Sequence, residues 1–546
     1  MSPATTPFEP GTIARFVEAG WWQAQSFSAD VRAVAAGDRA DADAYLTREG
    51  ALSWRDYDAA ADELAVALRA IGLPAASFVG VLLPDGPLTH IAYLAVERAG
   101  LTIVGIGPRS GRHEIRHLLA ATQAPVLVTV AEIRGADQRE LFAQLAEELP
   151  ALAVHVCVGL PAVDGCYRAV YIDGGGTDAP SAAPARGPNE VFMVNATSGT
   201  TGLPKCVQHT QNRWRRFAQH AIEAGELDRD DVLMSALPSP FGFGLWSAHF
   251  LPVLLAAPTV LLLRWDADEA LALMNRHHVT VFAGVTTQLM MLLDRIEAGV
   301  PAPAGLRAVF TGGESVPFER AKRFEELTGA AVLQFYGSNE SGALCCTTVR
   351  DDQERRLRTA GRILPEMHVE LVDPETGRAV TDAGQVGQPT CWGPLMTPGY
   401  LADEHANTLL FDERGRVRMP DLATLSTDGY LTVAGRVADI IIRGGMNISA
   451  AEVEEALLGH PVVELAAVVA APHPTFGEQV AAFVQLRRGT TLTLPELQEH
   501  LAQQGMAKHT WPEQLYVLDT MPRNTGEKIA KGELRQMLTG SAGQAT

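Results

Sequence analysis

The chain has 546 residues, 47% of them hydrophobic, more than one ordinary core absorbs, so at least two domains are expected. Its formal net charge of -20 repels polyanions, which excludes nucleic acid and an anionic membrane surface as expected partners unless a local basic patch exists. The most basic short run, "NRWRRF" with arginines at 213, 215 and 216, is too small to reverse that and reads as a solvated helix face.

In chain order, the first segment, "MSPATTPFEPGTIARF", lacks a basic region followed by an apolar one, so export is not expected. Six cysteines (Cys157, Cys166, Cys206, Cys345, Cys346 and Cys391) show no CxxC spacing, which suits reduced thiols in a cytoplasm. "SWRDYDAAADELAVALRAIG" opens with a capping box from Ser53 to Asp56 and puts Tyr57, Leu64 and Leu68 on one helical face. A strand follows from Phe78 in "FVGVLLP". The same rhythm returns in "PLTHIAYLAVERAG" with "LTIVGIG", and in "EIRHLLAATQAPVLVTV". Helices layered on a mainly parallel sheet are the expected result, an α/β body.

Residues 173–188, "DGGGTDAPSAAPARGP", hold neither helix nor strand by composition and read as an exposed connector. The longest apolar run, "LPVLLAAPTVLLL" from Leu251, is too short to span a membrane and is broken by Pro258, so it reads as a helix end and a buried strand. After "GRVADIIIRGG" at 435–445, a helix ("SAAEVEEALLGH") and a strand ("VVELAAVVAAP") begin a small α+β appendage of about a hundred residues. No repeat of fixed period and no heptad pattern appears, so the oligomeric state is left open.

The stretch that carries chemistry is "NATSGTTGLPKCVQH" at 195–209. Hydroxyls on a glycine-rich turn, with a lysine soon after, make a concave array of donors suited to phosphate oxygens. The spacing of Gly199 and Gly202 is not that of a Walker A loop. "TSGTTGLPK" resembles the phosphate-binding signature of the adenylate-forming superfamily of acyl-CoA ligases, peptide-synthetase adenylation domains and luciferases. Further matches stand in that family's order: "LPSPFGFG", "YGSNE", "GQVGQPTCWGPLMTPGY", "RMPDLATLSTDGYL", "GRVADIIIRGGMNISAAEVE" and "PRNTGEKIAK".

The resemblance implies a large N-terminal domain, 1–435, of layered sheets and helices, and a small mobile C-terminal domain, 436–546, turning about a hinge near 436–439 at Ala438. It implies that Thr197, Ser198, Gly199, Thr200, Thr201, Gly202 and Lys205 cradle phosphate. Tyr336, Gly312 and Gly313 would meet adenine, Asp421 the ribose, and Arg436 ribose or phosphate. Glu314, Gln334, Gly337, Ser338 and Asn339 complete the nucleotide set. Glu340 would hold magnesium, and Lys528 would bridge carboxylate and phosphate during adenylation. Arg443, Gly444, Gly445 and Met446 would line a pantetheine tunnel for coenzyme A, with Gly445 at the thioester step. Phe241, Gly242, Trp246, Gly284, Gly312 and Gly337 would form the acyl pocket.

Where many relatives have histidine this chain has Phe241, and the pocket lacks an acidic anchor for an α-amino group. An apolar, locally roomy pocket for a hydrophobic aryl, alicyclic or polycyclic acid is therefore expected. The implied activity is an ATP-dependent, AMP-forming acyl-CoA ligase, with the acid, or its adenylate, and coenzyme A as partners. Several positions depart from the family's pattern: Asn339 replaces threonine, Met419-Pro420 replaces Thr-Gly, Ala438 replaces a charged hinge residue, and Glu527 stands beside Lys528. They gather on the ATP half-reaction and keep three alternatives open: thioesterification of a preformed acyl-adenylate, a luciferase-like oxidoreductase, and a silent nucleotide-binding protein.

Overall fold

The alternation of helix and apolar strand read near residues 53–130 builds a seven-stranded sheet. The computed structural model describes residues 8–159, 168–173, 184–196, 204–313, 316–443, 446–523 and 529–540. Across this sheet the order is Cys206–Thr210, Val191–Ala196, Thr102–Ile106, Phe78–Leu82, Val126–Thr129, Val154–Gly159 and Arg168–Asp173. The inner five strands are parallel and the two edges antiparallel. Every residue of Phe78–Leu82 and Thr102–Ile106 is buried, as expected for strands covered on both faces. The helix Trp54–Ala70 starts as its sequence requires, with the Asp56 amide donating to Ser53 Oγ.

A second sheet has eleven strands. Six run parallel, Asp43–Leu46, Thr259–Leu261, Leu233–Ser235, Val281–Ala283, Ala308–Gly312 and Ala331–Ser338. Beyond them Gly342–Cys346, Gly361–Ile363, Tyr430–Arg436 and Asp421–Leu425 continue it antiparallel, and Ala51–Ser53 pairs antiparallel with Asp43–Leu46 at the other edge. The mainly parallel expectation therefore holds for one sheet and half of the other. The apolar run from Leu251 splits at Pro258 into the helix Leu251–Leu255 and the buried strand Thr259–Leu261. Among the described residues no helix is long and apolar enough to cross a membrane.

The helix Gln211–Gly225 corrects the reading of the basic run. It is wedged into the core, and Arg213 and Arg215 are 1% and 0% exposed. Arg215 pairs with Asp30 and donates to the Gln25 carbonyl at 3.0 Å. Arg216 donates to Glu366 at 2.5 Å. Burial of a charge is tolerated because each guanidinium finds acceptors from elements far away in sequence, which no local pattern displays. In the connector read at 173–188, residues 174–183 lie outside the described set. Asp173 ends an edge strand, and Arg186 is buried rather than exposed, donating to the Val191 carbonyl at 3.0 Å.

The C-terminal unit has its own sheet, ordered Met446–Ser449, Ile440–Arg443, Gly477–Leu486 and Val463–His473, with Gln514–Leu518 parallel to Gly477–Leu486. Its core joins Val453, Leu457, Val468, Val484 and Leu497. Tyr430–Arg436 is the last strand of the large sheet in chain order, a short turn Val437–Asp439 follows, and Ile440–Arg443 is the first strand of the small one in chain order. Asp439 accepts from Lys531 at 3.1 Å and from Arg535, which ties the turn to the last helix, Lys531–Gly540. Cys157, Cys206, Cys345, Cys346 and Cys391 are free and buried, and Cys166 lies outside the described residues.

Candidate active site

The C-terminal end of strand Ala331–Ser338 organises the site. Tyr336 sits there with its hydroxyl donating to Asp421 Oδ2 at 2.9 Å, and Arg436 Nε donates to Asp421 Oδ1 at 3.3 Å. Asp421 and Arg436 are register partners on adjacent strands, so the sheet itself sets their approach. A carboxylate has about four lone-pair sites, and two donors leave acceptor capacity for a diol. Burial and the Asp421 charge push the Tyr336 phenol well above its ordinary range, so it remains a donor.

Two residues further on, the chain turns sharply. The amides of Glu340 and Ser341 both donate to Ser338 Oγ at 3.1 Å, and the Ser338 amide donates to Ser341 Oγ at 2.9 Å. The Thr397 amide holds the Glu340 carbonyl at 2.7 Å. The Tyr400 hydroxyl donates to Glu340 Oε1 at 2.8 Å, and Lys205 Nζ lies 5.0 Å from the centre of the Tyr400 ring. Burial and Glu340 together raise the Tyr400 phenol, fixing it as the donor. Tyr400 carries no role in the sequence reading, although it ends the quoted "GPLMTPGY". Among the described residues no group of three or more His, Cys, Asp or Glu could hold a metal by itself. A single carboxylate fits a hard cation that takes its other oxygens from phosphates and water.

Four glycines of the expected acyl pocket stand in close contacts. A Cβ on Gly337 would lie 1.9 Å from the Gly342 carbonyl oxygen, and one on Gly312 would lie 2.4 Å from that of Phe335. On Gly284 it would meet the Phe282 ring at 2.5 Å, and on Gly242 the Trp214 ring at 2.6 Å. A side chain at any of these four positions would meet its neighbours. Trp246 is wholly buried, 5.2 Å from Phe217 and Phe243 and 5.7 Å from Phe310 and Phe335, ring centre to ring centre, so its indole belongs to the core. Phe241 is half-buried and lies against Gly107. Gly313 is exposed with φ +81°.

Gln334 spends its amide on the Arg356 carbonyl at 2.7 Å. Asn339 turns its amide toward Asn195, at the root of the glycine-rich loop. Met419-Pro420 lies between strand Val417–Arg418 of the small sheet His368–Val372, Gln388–Trp392, Val417–Arg418 and strand Asp421–Leu425 of the large one. Proline, which has no N–H to donate, suits that crossing, and its carbonyl accepts from the Val437 amide at 2.9 Å. Thr197, Ser198, Gly199, Thr200, Thr201, Gly202, Glu314, Gly444, Gly445 and Lys528 lie outside the described residues, as does the side chain of Ala438. Arg443 is turned to Glu513 at 2.9 Å and stacks on Phe476, beside an exposed Met446. Arg523, ahead of Lys528, donates to Thr287 Oγ1 at 3.4 Å and brings the C-terminal unit against the helix Thr286–Glu297.

Known proteins resemble nearly the whole chain. The AMP-binding enzyme family matches residues 31–401, and the AMP-binding enzyme C-terminal domain matches residues 452–528. The chain is 31% identical to the salicyl-AMP ligase / salicyl-S-ArCP synthetase of Mycobacterium tuberculosis, over 99% of this chain and 95% of that one. It is also 31% identical to a salicylyl-CoA synthase / salicylate adenylyltransferase of a Streptomyces species, over 98% of each. Among solved structures, ATP-bound MatB from Rhodopseudomonas palustris superposes with a TM-score of 0.81 at 25% identity, covering 93% of this chain and 98% of that one. The large α/β domain, the small C-terminal domain and the extent of these matches establish that the chain belongs to the AMP-binding, adenylate-forming enzyme family, whose members use ATP and yield AMP.

Proposed function

We propose that this chain is an acyl-CoA ligase that activates a hydrophobic carboxylic acid, aryl in the first instance, through an acyl-adenylate. The observation that carries the reading is the array of Tyr336, Asp421 and Arg436 next to Lys205, Tyr400 and Glu340, a seat for base and ribose beside a seat for phosphates. The names of the two salicyl-forming relatives support an aryl acid.

In the first half-reaction a carboxylate oxygen attacks the α-phosphorus of ATP and pyrophosphate leaves. Lys205 and Arg436, with the loop at 197–202, hold the nucleotide in line, and Lys528 stabilises charge as it develops. Glu340 would hold magnesium, which when bound would supply charge neutralisation on the phosphates. Glu340 is kept oriented for that by Tyr400. In the second half-reaction a thiol sulfur attacks the acyl carbonyl carbon and AMP leaves, after domain 436–546 turns about 436–439 against domain 1–435 to bring residues 443–446 to the site. Five buried free thiols accord with a reducing cytoplasm.

A second reading, with a carrier-protein thiol as acceptor, is favoured by the salicyl-S-ArCP product in one relative's name. A paired assay tests both. Aryl acids with ATP, magnesium and coenzyme A, and the synthetic aryl-adenylates with coenzyme A alone, should each give the CoA thioester. Thioester from the adenylates only would refute the adenylating ligase, and adenylate that accumulates without thioester would favour the carrier protein.

A further inference from the structure

Asn195 lies in strand Val191–Ala196 of the seven-stranded sheet and Asn339 in the turn just after strand Ala331–Ser338 of the other, 144 residues apart, yet Asn339 Nδ2 donates to Asn195 Oδ1 at 2.6 Å. A longer contact of 3.5 Å returns from Asn195 Nδ2 to Asn339 Oδ1, and the same Nδ2 donates to the Pro240 carbonyl at 2.6 Å. His209 Nε2 meets Asn195 Oδ1 at 2.7 Å, and Arg213 Nη1 meets His209 Nδ1 at 2.6 Å. Arg213 closes the ring by donating to the carbonyls of Asn339 and Leu395.

Counting protons leaves one arrangement. Guanidinium only donates, so His209 Nδ1 accepts, its proton sits on Nε2, and Nε2 donates to Asn195 Oδ1. That oxygen then uses both lone pairs, on His209 and on Asn339, and the Asn195 amide nitrogen has to face Pro240. Asn195, His209 and Arg213 are all 1% exposed or less, so water cannot substitute for a missing partner. Burial, reinforced by the Arg213 charge, keeps His209 neutral. Burial opposes the ionised form of Arg213, and the Glu340 charge favours it. A Cβ on Gly242 would lie 3.1 Å from Asn339 Oδ1, so the acyl-motif turn closes over the pair.

We propose that Arg213, His209, Asn195 and Asn339 form a positioning relay that sets Glu340 and the root of the loop at 197–202 relative to each other for adenylation. The proposal rests on the adenylating reading above. Asn195 is one residue before the end of strand Val191–Ala196, from which that loop departs, and Asn339 immediately precedes Glu340. The relay is thus the direct bond between the two segments that must hold one nucleotide. It also gives the asparagine at 339 a reason: a threonine hydroxyl, one bond shorter and without a second donor, cannot span to Asn195.

The test compares wild type with Asn339→Thr, His209→Leu and His209→Gln in two reactions, acid-dependent ATP–pyrophosphate exchange and CoA thioester formation from the synthetic aryl-adenylate. Misplacing a phosphate-binding segment by about 1 Å costs on the order of a hundredfold in rate. Asn339→Thr and His209→Leu are expected to lower exchange kcat by at least tenfold, with the acid KM and the thioester rate within about threefold. Gln at 209 keeps a donor toward Asn195 and an acceptor toward Arg213, so it should recover most of the rate lost in His209→Leu. If the leucine variant does not fold, Asn339→Thr and His209→Gln decide alone. Exchange unchanged in Asn339→Thr, or both reactions falling together, would overturn the relay and leave the ligase reading standing. No exchange in wild type with any acid would overturn that reading and the relay with it.

Discussion

Replacing Tyr400 by phenylalanine isolates one bond of the site. The ring stays, and with it the face that Lys205 approaches at 5.0 Å, while the donor to Glu340 Oε1 at 2.8 Å is removed. A hydrogen bond to a charged group contributes about 1.5–3 kcal/mol. Glu340 is only partly buried, so water recovers some of that and the lower end applies. About 1.5 kcal/mol is close to tenfold in rate, since 1.4 kcal/mol is one decade. Tyr400→Phe should therefore reduce ATP–pyrophosphate exchange roughly tenfold, raise the magnesium concentration needed for half-maximal rate, and leave thioester formation from a synthetic adenylate nearly unchanged. Exchange within twofold of wild type at all magnesium concentrations would refute the role given to Tyr400 as the group that orients Glu340.

Three further outcomes follow from the packing. Trp246→Ala should destabilise the protein by about 3–5 kcal/mol, as for any large aromatic removed from a core, without shifting the order of preference among acids; a changed acid preference in a stable variant would restore Trp246 to the pocket wall. Gly337→Ala puts a Cβ 1.9 Å from a backbone oxygen and should lower the unfolding midpoint sharply, whereas a midpoint equal to wild type would contradict the geometry. Burial opposes the ionised form of Glu366, but hydrogen bonds from His220 and Arg216, both at 2.5 Å, more than offset it and bring its pKa to about 2. A folded value below the unfolded one means stability that is present above about pH 4.5 and is lost as pH falls toward 2, roughly 3 kcal/mol in all. Denaturant titrations of wild type and Glu366→Gln should differ most above pH 4.5 and converge toward pH 2; a constant difference would show that the charge is not the source.

What was legible in the sequence had local causes. Ser53 with Asp56, the apolar strand from Phe78, and the break at Pro258 each act within a few residues, and the structure places them as read. Tyr336 and Asp421 were legible as members of ordered motifs, and they meet at 2.9 Å. The misreadings share a different cause, since they depend on what approaches from far along the chain. Arg213 and Arg215 look like a solvated face until Asp30, Leu395 and Asn339 are brought to them. The close contacts that a side chain at Gly242, Gly284, Gly312 or Gly337 would meet, with Trp214, Phe282 and two backbone oxygens, likewise arise only in the folded chain and are not visible in the sequence. Asn339 reads only as a departure from the family's threonine until Asn195, on the seven-stranded sheet, is brought to it.

The central claim is that this chain still carries out adenylation despite Asn339, Ala438 and Glu527. The most direct measurement is acid-dependent ATP–pyrophosphate exchange with magnesium across benzoic, salicylic and larger fused-ring acids. Exchange that depends on the acid, with the aryl acids fastest, is the predicted result. An absence of exchange with every acid, in a preparation that still converts a synthetic aryl-adenylate to its CoA thioester, would contradict it.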